Sequence, residues 1–280
     1  MKKISFVILT WNSDQTIETC LQSIAHICGS QNIPYEIIVV DNGSSDSTVS
    51  IVDRNTAAIP IHLIQMPKNM GTTHSRNLAL RTCTGDIICV MDSDAVLLEG
   101  NIRDVADILG GDDSIGILAP KLILTDGTAQ HSVRKFPSAY GKFSRIPAII
   151  FKLRLPNTDH YTDFPFTQPT DIDYAISACW FFRRNLLDSV GYLDERIFYA
   201  PEDVDYCIRI WKMKKRVVFY PYFTVLHHVQ RITHKSFFSR IALSHLFGLI
   251  YYFLKHRYIT TPKIRRTPSD ASHSGISGMC

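Results

Sequence analysis

Short apolar blocks alternate with longer mixed segments over the first ninety-odd residues. The blocks are Ile4 to Leu9, Glu36 to Val40, Ile61 to Gln65 and Ile87 to Met91. Each has the length of a strand, and the last is unbroken in its apolar character, as in a strand buried on both faces. The intervening segments predict helices over about Thr16 to Ile27, Ser47 to Arg54 and Thr73 to Arg81. Ser13 or Asp14 can cap the first of these, and Asp41-Asn42-Gly43-Ser44-Ser45-Asp46 is a dense turn before the second. Strand and helix alternating at this spacing require parallel strands and right-handed crossovers. The fold class expected is α/β, with a mostly parallel sheet flanked by helices.

The pattern continues with a short apolar run at Val96 to Leu98, a helix at about Asn101 to Leu109 and a strand at Ile115 to Ala119. Lys121 to Pro169 is irregular, and such long stretches in compact domains tend to be functional or mobile. Asp173 to Phe182 is apolar again. From Val204 the spacing of Val204, Cys207, Ile208 and Trp211 is helical. Arg216 to Tyr220 reads as a strand. Ile241 to Leu254 is apolar and aromatic but only fourteen residues long, short of the roughly 20 residues a bilayer span needs. Lys235, Arg240, Lys255 and Arg257 flank it, so it reads either as a helix lying in a membrane interface or as one docked on the domain. From Thr261 the tail is rich in Pro, Ser and Gly and is expected to be disordered.

Composition adds a charge asymmetry. The net charge is +4, yet Tyr206 to Ser269 holds thirteen Lys or Arg and no Asp or Glu. The rest of the chain carries seventeen basic and twenty-six acidic residues. A basic segment attracts anions such as lipid headgroups, diphosphate or nucleic acid. The seven cysteines form no C-x-x-C pair, which argues against a disulfide framework or a structural zinc site. Ile4 to Leu9 is too short for a signal-peptide core, so a cytoplasmic protein is expected. No G-x-G-x-x-G or Walker A string occurs, against the dinucleotide and P-loop classes.

Candidate chemistry gathers where strands end. Asp92 and Asp94 follow the apolar run Ile87 to Met91, and open α/β sheets bind ligands beyond the carboxyl ends of their strands. Two such aspartates can hold a hard divalent cation and, through it, a diphosphate; otherwise they are solvated acids at a strand end. Asp41 ends the second strand and can accept from a base or a ribose, or simply close an Asx turn. Glu202, Asp203 and Asp205 stand at a helix amino terminus, which favours ionised carboxylates. A general base needs an ionised carboxylate near a hydroxyl. One cap needs one acid, and here there are three. His227 and His228 are adjacent on an extended segment, so at most one points to a given site.

These residues, taken in order, resemble the family of inverting, GT-A-fold glycosyltransferases (family 2), and within it a bacterial rhamnosyltransferase-like branch. The resemblance is carried by Val7 to Asn12, Val39 to Asp46, Asn69 and Gly71 with Ser75-Arg76-Asn77, and Asp92-Ser93-Asp94. Asp126-Gly127-Thr128 with Gln130, Ser132 and Phe136-Pro137 follows, then Leu193 to Phe198, Glu202 to Arg209 and His228. It implies a Rossmann-like GT-A domain over 1–225, with a nucleotide-sugar half (1–98) and an acceptor half (99–225). A basic helical segment (226–260) and the tail (261–280) would follow. It implies a nucleotide-diphosphate sugar donor held by Thr10, Asn12, Asp41, Asn69, Gly71, Arg76, Asp92 and Ser93. Mn2+ or Mg2+ would be held by Asp94, Asp92 and His228, with Asp203 as the catalytic base and Glu202 beside it. The acceptor would be a saccharide or a lipid-linked sugar in cell-surface polysaccharide synthesis, with membrane contact through 235–257 on the inner face and room for a homodimer. Three places depart from the family pattern: Ser177-Ala178-Cys179, Ala200-Pro201 after Tyr199, and Val229-Gln230-Arg231 after the histidines. Two rivals predict different chemistry. A nucleotidyltransferase would leave the second acidic cluster without a role. Nucleic-acid binding by the basic segment conflicts with the acidity of the first 205 residues, and no nucleic-acid partner is expected.

Overall fold

A computed structural model describes residues 2–143, 159–161, 167–229 and 240–257. Parts of the irregular stretch 121–169, the first residues of the 235–257 segment and the 261–280 tail lie outside the described residues.

The first four strands and three helices follow the apolar blocks: β1 (Ile4–Thr10), α1 (Ile17–Ser30), β2 (Tyr35–Asp41), α2 (Thr48–Asn55), β3 (Ile61–Gln65), α3 (Thr72–Thr82) and β4 (Ile87–Asp92). The chain then reverses into β5 (Ala95–Glu99) and continues through α4 (Ile102–Gly111) and β6 (Ile115–Ile123). Short elements follow: β7 (Val133–Arg134), α5 (Ala139–Phe143), β8 (Thr170–Asp171) and β9 (Tyr174–Ala175). The last are β10 (Cys179–Arg183), α6 (Leu186–Val190), α7 (Glu202–Lys212), β11 (Arg216–His227) and α8 (Arg240–His256). The expected α/β class is the class observed.

Eight strands lie side by side in the order β3-β2-β1-β4-β10-β6-β11-β5, and β8 pairs with β11 as the ninth. The first four are mutually parallel. β10 is antiparallel to both β4 and β6, so the four parallel strands join the second half of the chain in one sheet. The apolar run Asp173 to Phe182 holds two strands, β9 in a small sheet with β7 and the start of β10 in the large one. The expected strand ending at Tyr220 runs on to His227, with a register shift against β6 between Tyr220 and Thr224. Pro221 lacks the N–H that regular pairing uses, and the shift lets the strand pass it.

Strand residues divide alternately between two cores. Phe6, Ile8, Cys89 and Met91 face the side covered by α1 and α4 with Cys20, Ile24, Val105 and Leu109. Val7, Ile88, Val90 and Phe182 face the other side, with Leu80, Val204, Cys207, Ile208 and Tyr252. The sheet is thus covered on both faces, which is why its central strands read as continuous apolar runs.

Candidate active site

Register brings the polar strand ends to one edge. Thr10 pairs with Asp41 across β1 and β2, and Leu9 pairs with Asp92 across β1 and β4. A tight turn through Ser93 and Asp94 then sends the chain back as β5, and β11 pairs antiparallel with β5, setting His227 opposite Ala95. His227 therefore arrives beside both aspartates. Its Nε2 is 3.3 Å from Asp94 Oδ1 and 3.9 Å from Asp92 Oδ2. One ligand atom from each of Asp92, Asp94 and His227 lies within 4.8 Å of the others.

The histidine in this cluster is His227, whereas the sequence resemblance points to His228. His228 is exposed, and its backbone N–H donates to the Asp94 carbonyl at 2.9 Å. Neighbouring side chains on an extended strand face opposite ways, and the pairing of β11 with β5 selects the first of the two. Gln130 makes the choice firmer: its side-chain oxygen accepts from His227 Nδ1–H at 2.9 Å. That turns Nε2 toward the carboxylates, where it donates to Asp94 when the ring is protonated and offers a lone pair to a cation when it is neutral. Gln130 stands in the motif quoted above, but only its long-range contact assigns it this part.

The electrostatics of the cluster ask for a cation. Burial and then the Asp94 charge push the Asp92 carboxyl up, and Arg76 and His227 only partly offset them. Burial opposes the His227 imidazolium, yet the hydrogen bond to Asp94 and the charges of Asp92 and Asp94 outweigh it and raise its pKa. Two carboxylates and one imidazole are a fitting donor set for Mn2+ or Mg2+.

A second acidic centre faces the first. Arg76, on α3 and only 2% exposed, donates from Nη2 to Asp92 Oδ1 at 2.5 Å and from Nη1 to Glu202 Oε1 at 3.3 Å. Ser177 completes the link, accepting from Arg76 Nη1 at 2.8 Å and donating to Glu202 Oε1 at 2.9 Å. Burial, followed by the charge of Asp203, pushes the Glu202 carboxyl up to about 8. Asp203 is also raised by burial, although the Val204 N–H donates to its Oδ1 at 2.8 Å. Glu202 is thus committed to Arg76 and Ser177. Asp203, half-buried, faces the open space.

That space is a cavity of about 490 Å3 whose wall includes both centres. Asn69, Gly71, Arg76, Asp92, Ser93 and Asp94 line it, as do Glu202 and Asp203. Thr10, Asn12 and Asp41 are not in the wall but directly adjoin Leu9, Trp11, Ser13 and Asn42, which are. Asp41 is 2% exposed; its Oδ2 accepts from the Ser44 N–H at 3.0 Å, and its Oδ1 has no partner among the described residues. Thr10 Oγ1, on the paired residue, is also buried and unpartnered. Buried polar atoms are rarely left so without a ligand or water to meet them. Asn12, at φ +50°, accepts from the Ser45 N–H at 2.9 Å and stands exposed at the rim. Asn42, read from the sequence as part of a turn, organises this corner. Its Nδ2 donates to Asn69 Oδ1 at 3.0 Å, and its Oδ1 accepts from the Met70 N–H and the Ser75 hydroxyl.

The family model described as Glycosyl transferase family 2 matches residues 5–191. Among curated proteins, the N-acetylglucosaminyl-diphospho-decaprenol L-rhamnosyltransferase of Mycobacterium tuberculosis is 27% identical over 237 residues, 80% of this chain and 76% of that protein. The chain spans much less of two other matches. An uncharacterized glycosyltransferase, YfnE, of Bacillus subtilis is 36% identical over 33% of this chain and 23% of its own length. The poly(ribitol-phosphate) beta-N-acetylglucosaminyltransferase TarS of Staphylococcus aureus is 31% identical over 38% of this chain and 18% of its own length. Among solved structures, the mannosyltransferase PcManGT of Pyrobaculum calidifontis, in complex with GDP-Man and Mn2+, superposes with a TM-score of 0.60. It is 20% identical, over 92% of this chain and 65% of its own. The fold is shared at that level.

Proposed function

The chain belongs to glycosyl transferase family 2, and from that premise we propose that it is an inverting, metal-dependent glycosyltransferase. It moves a sugar from a nucleotide-diphosphate donor to a hydroxyl of a saccharide or lipid-linked acceptor. The observation that carries this reading is that Asp92, Asp94 and His227 share one cavity wall with Asp203.

The donor nucleotide lies along the strand ends, where Asp41 Oδ1 and Thr10 Oγ1 offer buried, unpartnered atoms to base or ribose. Asp92, Asp94 and His227 would hold Mn2+ or Mg2+ against the diphosphate. When bound, the ion supplies charge neutralisation for the departing nucleoside diphosphate. Asp203 takes the proton from the acceptor hydroxyl as the oxygen attacks the anomeric carbon. Attack comes from the face opposite the leaving diphosphate, so one displacement gives one inversion. A covalent sugar intermediate is not required, in contrast to retaining hydrolases that use two carboxylates. Glu202 keeps its bonds to Arg76 and Ser177 and holds the amino end of α7 in place. The raised pKa of Asp203 suits a group that must receive a proton and later release it.

The name of the Mycobacterium relative supports a finer reading, with a rhamnosyl donor and an acceptor linked through diphosphate to a polyprenol. Among the described residues no helix is long and apolar enough to cross a membrane. The flanking charges and the exposed Phe247 of α8 support peripheral contact through 235–257.

A donor screen tests the proposal. Titration calorimetry with Mn2+ would compare UDP-, dTDP- and GDP-sugars on the wild-type protein and on Asp94→Ala. Selective binding that disappears in the variant is the expected result and identifies the nucleotide. Absence of binding by any of the three, with the fold intact by circular dichroism, overturns the reading.

A further inference from the structure

The C-terminal basic segment looks, from its charge, like an attachment separate from the catalytic domain. Its helix instead touches the strand of chain that leads into the base. The segment from Asp194 to Pro201 carries the chain to Glu202 and Asp203, and it is gripped from two sides by glycines. On one side is Gly71, at the start of α3 with φ +90°. A Cβ there would stand 2.5 Å from the Phe198 carbonyl oxygen. The same carbonyl accepts from the Thr72 N–H at 2.6 Å, and the Thr73 hydroxyl donates to the Ile197 carbonyl at 2.6 Å.

On the other side is Gly248, in the middle of α8. A Cβ on Gly248 would stand 2.2 Å from the Ala200 carbonyl oxygen and 3.3 Å from Pro201 Cδ. Glycine in a helix interior is unfavourable relative to alanine, so this position is kept open for the close approach of backbone. Around it α8 is bonded to the same stretch of chain. Tyr251 Oη and Lys255 Nζ both donate to Asp194 Oδ2, at 2.9 and 2.8 Å. Lys255 also donates to Asp205 Oδ1 at 2.5 Å, and His256 Nε2 lies 2.8 Å from the same oxygen. Arg209 Nε donates to the other oxygen of Asp205 at 3.0 Å. Tyr252 and Phe253 are buried in the core that holds α7. Thus α8 is bonded to Asp194 at the start of the segment and to Asp205 on α7 beyond it, and lies against Ala200 between them through Gly248.

We propose that α8 is a positioning element of the active site, and that Gly248 is its positioning residue. By backing the Ala200 carbonyl, Gly248 sets where the amino end of α7, and so the Asp203 carboxylate, stands relative to the Asp92–Asp94–His227 cluster. A side chain at 248 pushes the Ala200–Pro201 backbone toward the cavity, whose wall includes Ala200. Rate is lost while Thr10 and Asp41, paired at the ends of β1 and β2, are left as they were. The inference rests on Asp203 being the base.

The test is Gly248→Ala, with Lys255→Met as the second variant because it loosens α8 without adding bulk. Three quantities are read on each: donor affinity by calorimetry, kcat from nucleoside diphosphate released by the sugar nucleotide that the donor screen selects, and melting temperature. The expected result is a fall in kcat of tenfold or more for Gly248→Ala with donor Kd unchanged, and a smaller fall of the same kind for Lys255→Met. A helix with no part in positioning would respond to Gly248→Ala with a higher melting temperature and unchanged kcat, and that outcome overturns the proposal. Should Gly248→Ala fail to fold, Lys255→Met decides, and unchanged kcat there overturns it equally. Loss of donor affinity in step with kcat also counts against it, since the effect would then not be confined to the base. If the wild-type protein binds no sugar nucleotide, the functional reading falls rather than this one. The carboxyl carbon-13 resonance of Asp203, assigned through Asp203→Asn, then reports the displacement without turnover. A resonance moved by Gly248→Ala supports the positioning, and one left in place overturns it.

Discussion

Arg76 and Asp92 meet at 2.5 Å, and the same guanidinium reaches Glu202 at 3.3 Å. One buried cation thereby ties the carboxylate at the end of β4 to the carboxylate beside Asp203 on α7. The two acidic centres of the cavity would repel each other at this separation, and Arg76 is the group that lets them share it. From the sequence Arg76 reads as a pocket-lining residue for the nucleotide. It does line the cavity; its Nη1 and Nη2 donate within the protein, while its Nε has no partner among the described residues.

Above pH 8, where Glu202 is ionised, replacing Arg76 by Met should destabilise the fold by about 3 kcal/mol, because it leaves that buried carboxylate without its cation. Adding Glu202→Gln to the Met variant should recover a substantial part of the loss. Urea denaturation of the single and double variants checks both statements. Additive losses would show that the pair is not coupled.

Asp203→Asn should lower kcat by about 10^2 to 10^4-fold, the range over which a positioned general base acts, with donor affinity unchanged. Glu202→Gln keeps the shape of its contacts to Ser177 and Arg76 and should cost much less. The comparison is made with the donor that calorimetry selects. A rate retained in Asp203→Asn would move the base elsewhere in the cavity.

His227→Ala should weaken Mn2+ binding severely, and His228→Ala should leave it unchanged. Gln130→Ala should weaken it by about 10 to 100-fold, the usual cost of losing the partner that orients a metal-bound histidine. Electron paramagnetic resonance of free Mn2+ measures all three without any substrate. Equal effects from the two histidines would contradict the geometry of β11.

The Glu202 carboxyl is held at about 8 against an ordinary value of 4.5, chiefly by burial. Between those values the folded protein keeps a proton that the unfolded chain has lost. Metal-free stability should therefore fall as pH rises from about 4.5 to about 8. Glu202→Gln should flatten that slope, leaving the share due to Asp92 and Asp203, whose carboxyls burial also raises. Denaturant midpoints at pH 5 and pH 8 for both proteins settle it, and a slope unaltered by the substitution would refute it.

The parallel half of the sheet was legible because each of its signals is local. An apolar run such as Ile87 to Met91 declares a buried strand by itself, and the acids after it declare a strand end. The same holds for Glu202 and Asp203, placed at a helix start by the periodicity that begins at Val204. What could not be read was any relation between distant segments. The choice between His227 and His228 depends on how β11 pairs with β5. Gln130 becomes relevant only when it meets His227. Gly248 looks like a weak point in an apolar helix until Ala200 is found against it.

Residue order alone therefore determined the α/β class, the strand ends that carry the chemistry and the acids at them, since backbone periodicity and capping act within a few residues. Tertiary structure alone decided which histidine joins Asp92 and Asp94, which of two adjacent acids is tied to Arg76, and that the basic C-terminal helix lies against Ala200 ahead of them. Those are distances between side chains far apart in the chain. They are set by strand order and by helix packing across the sheet, which no local pattern encodes.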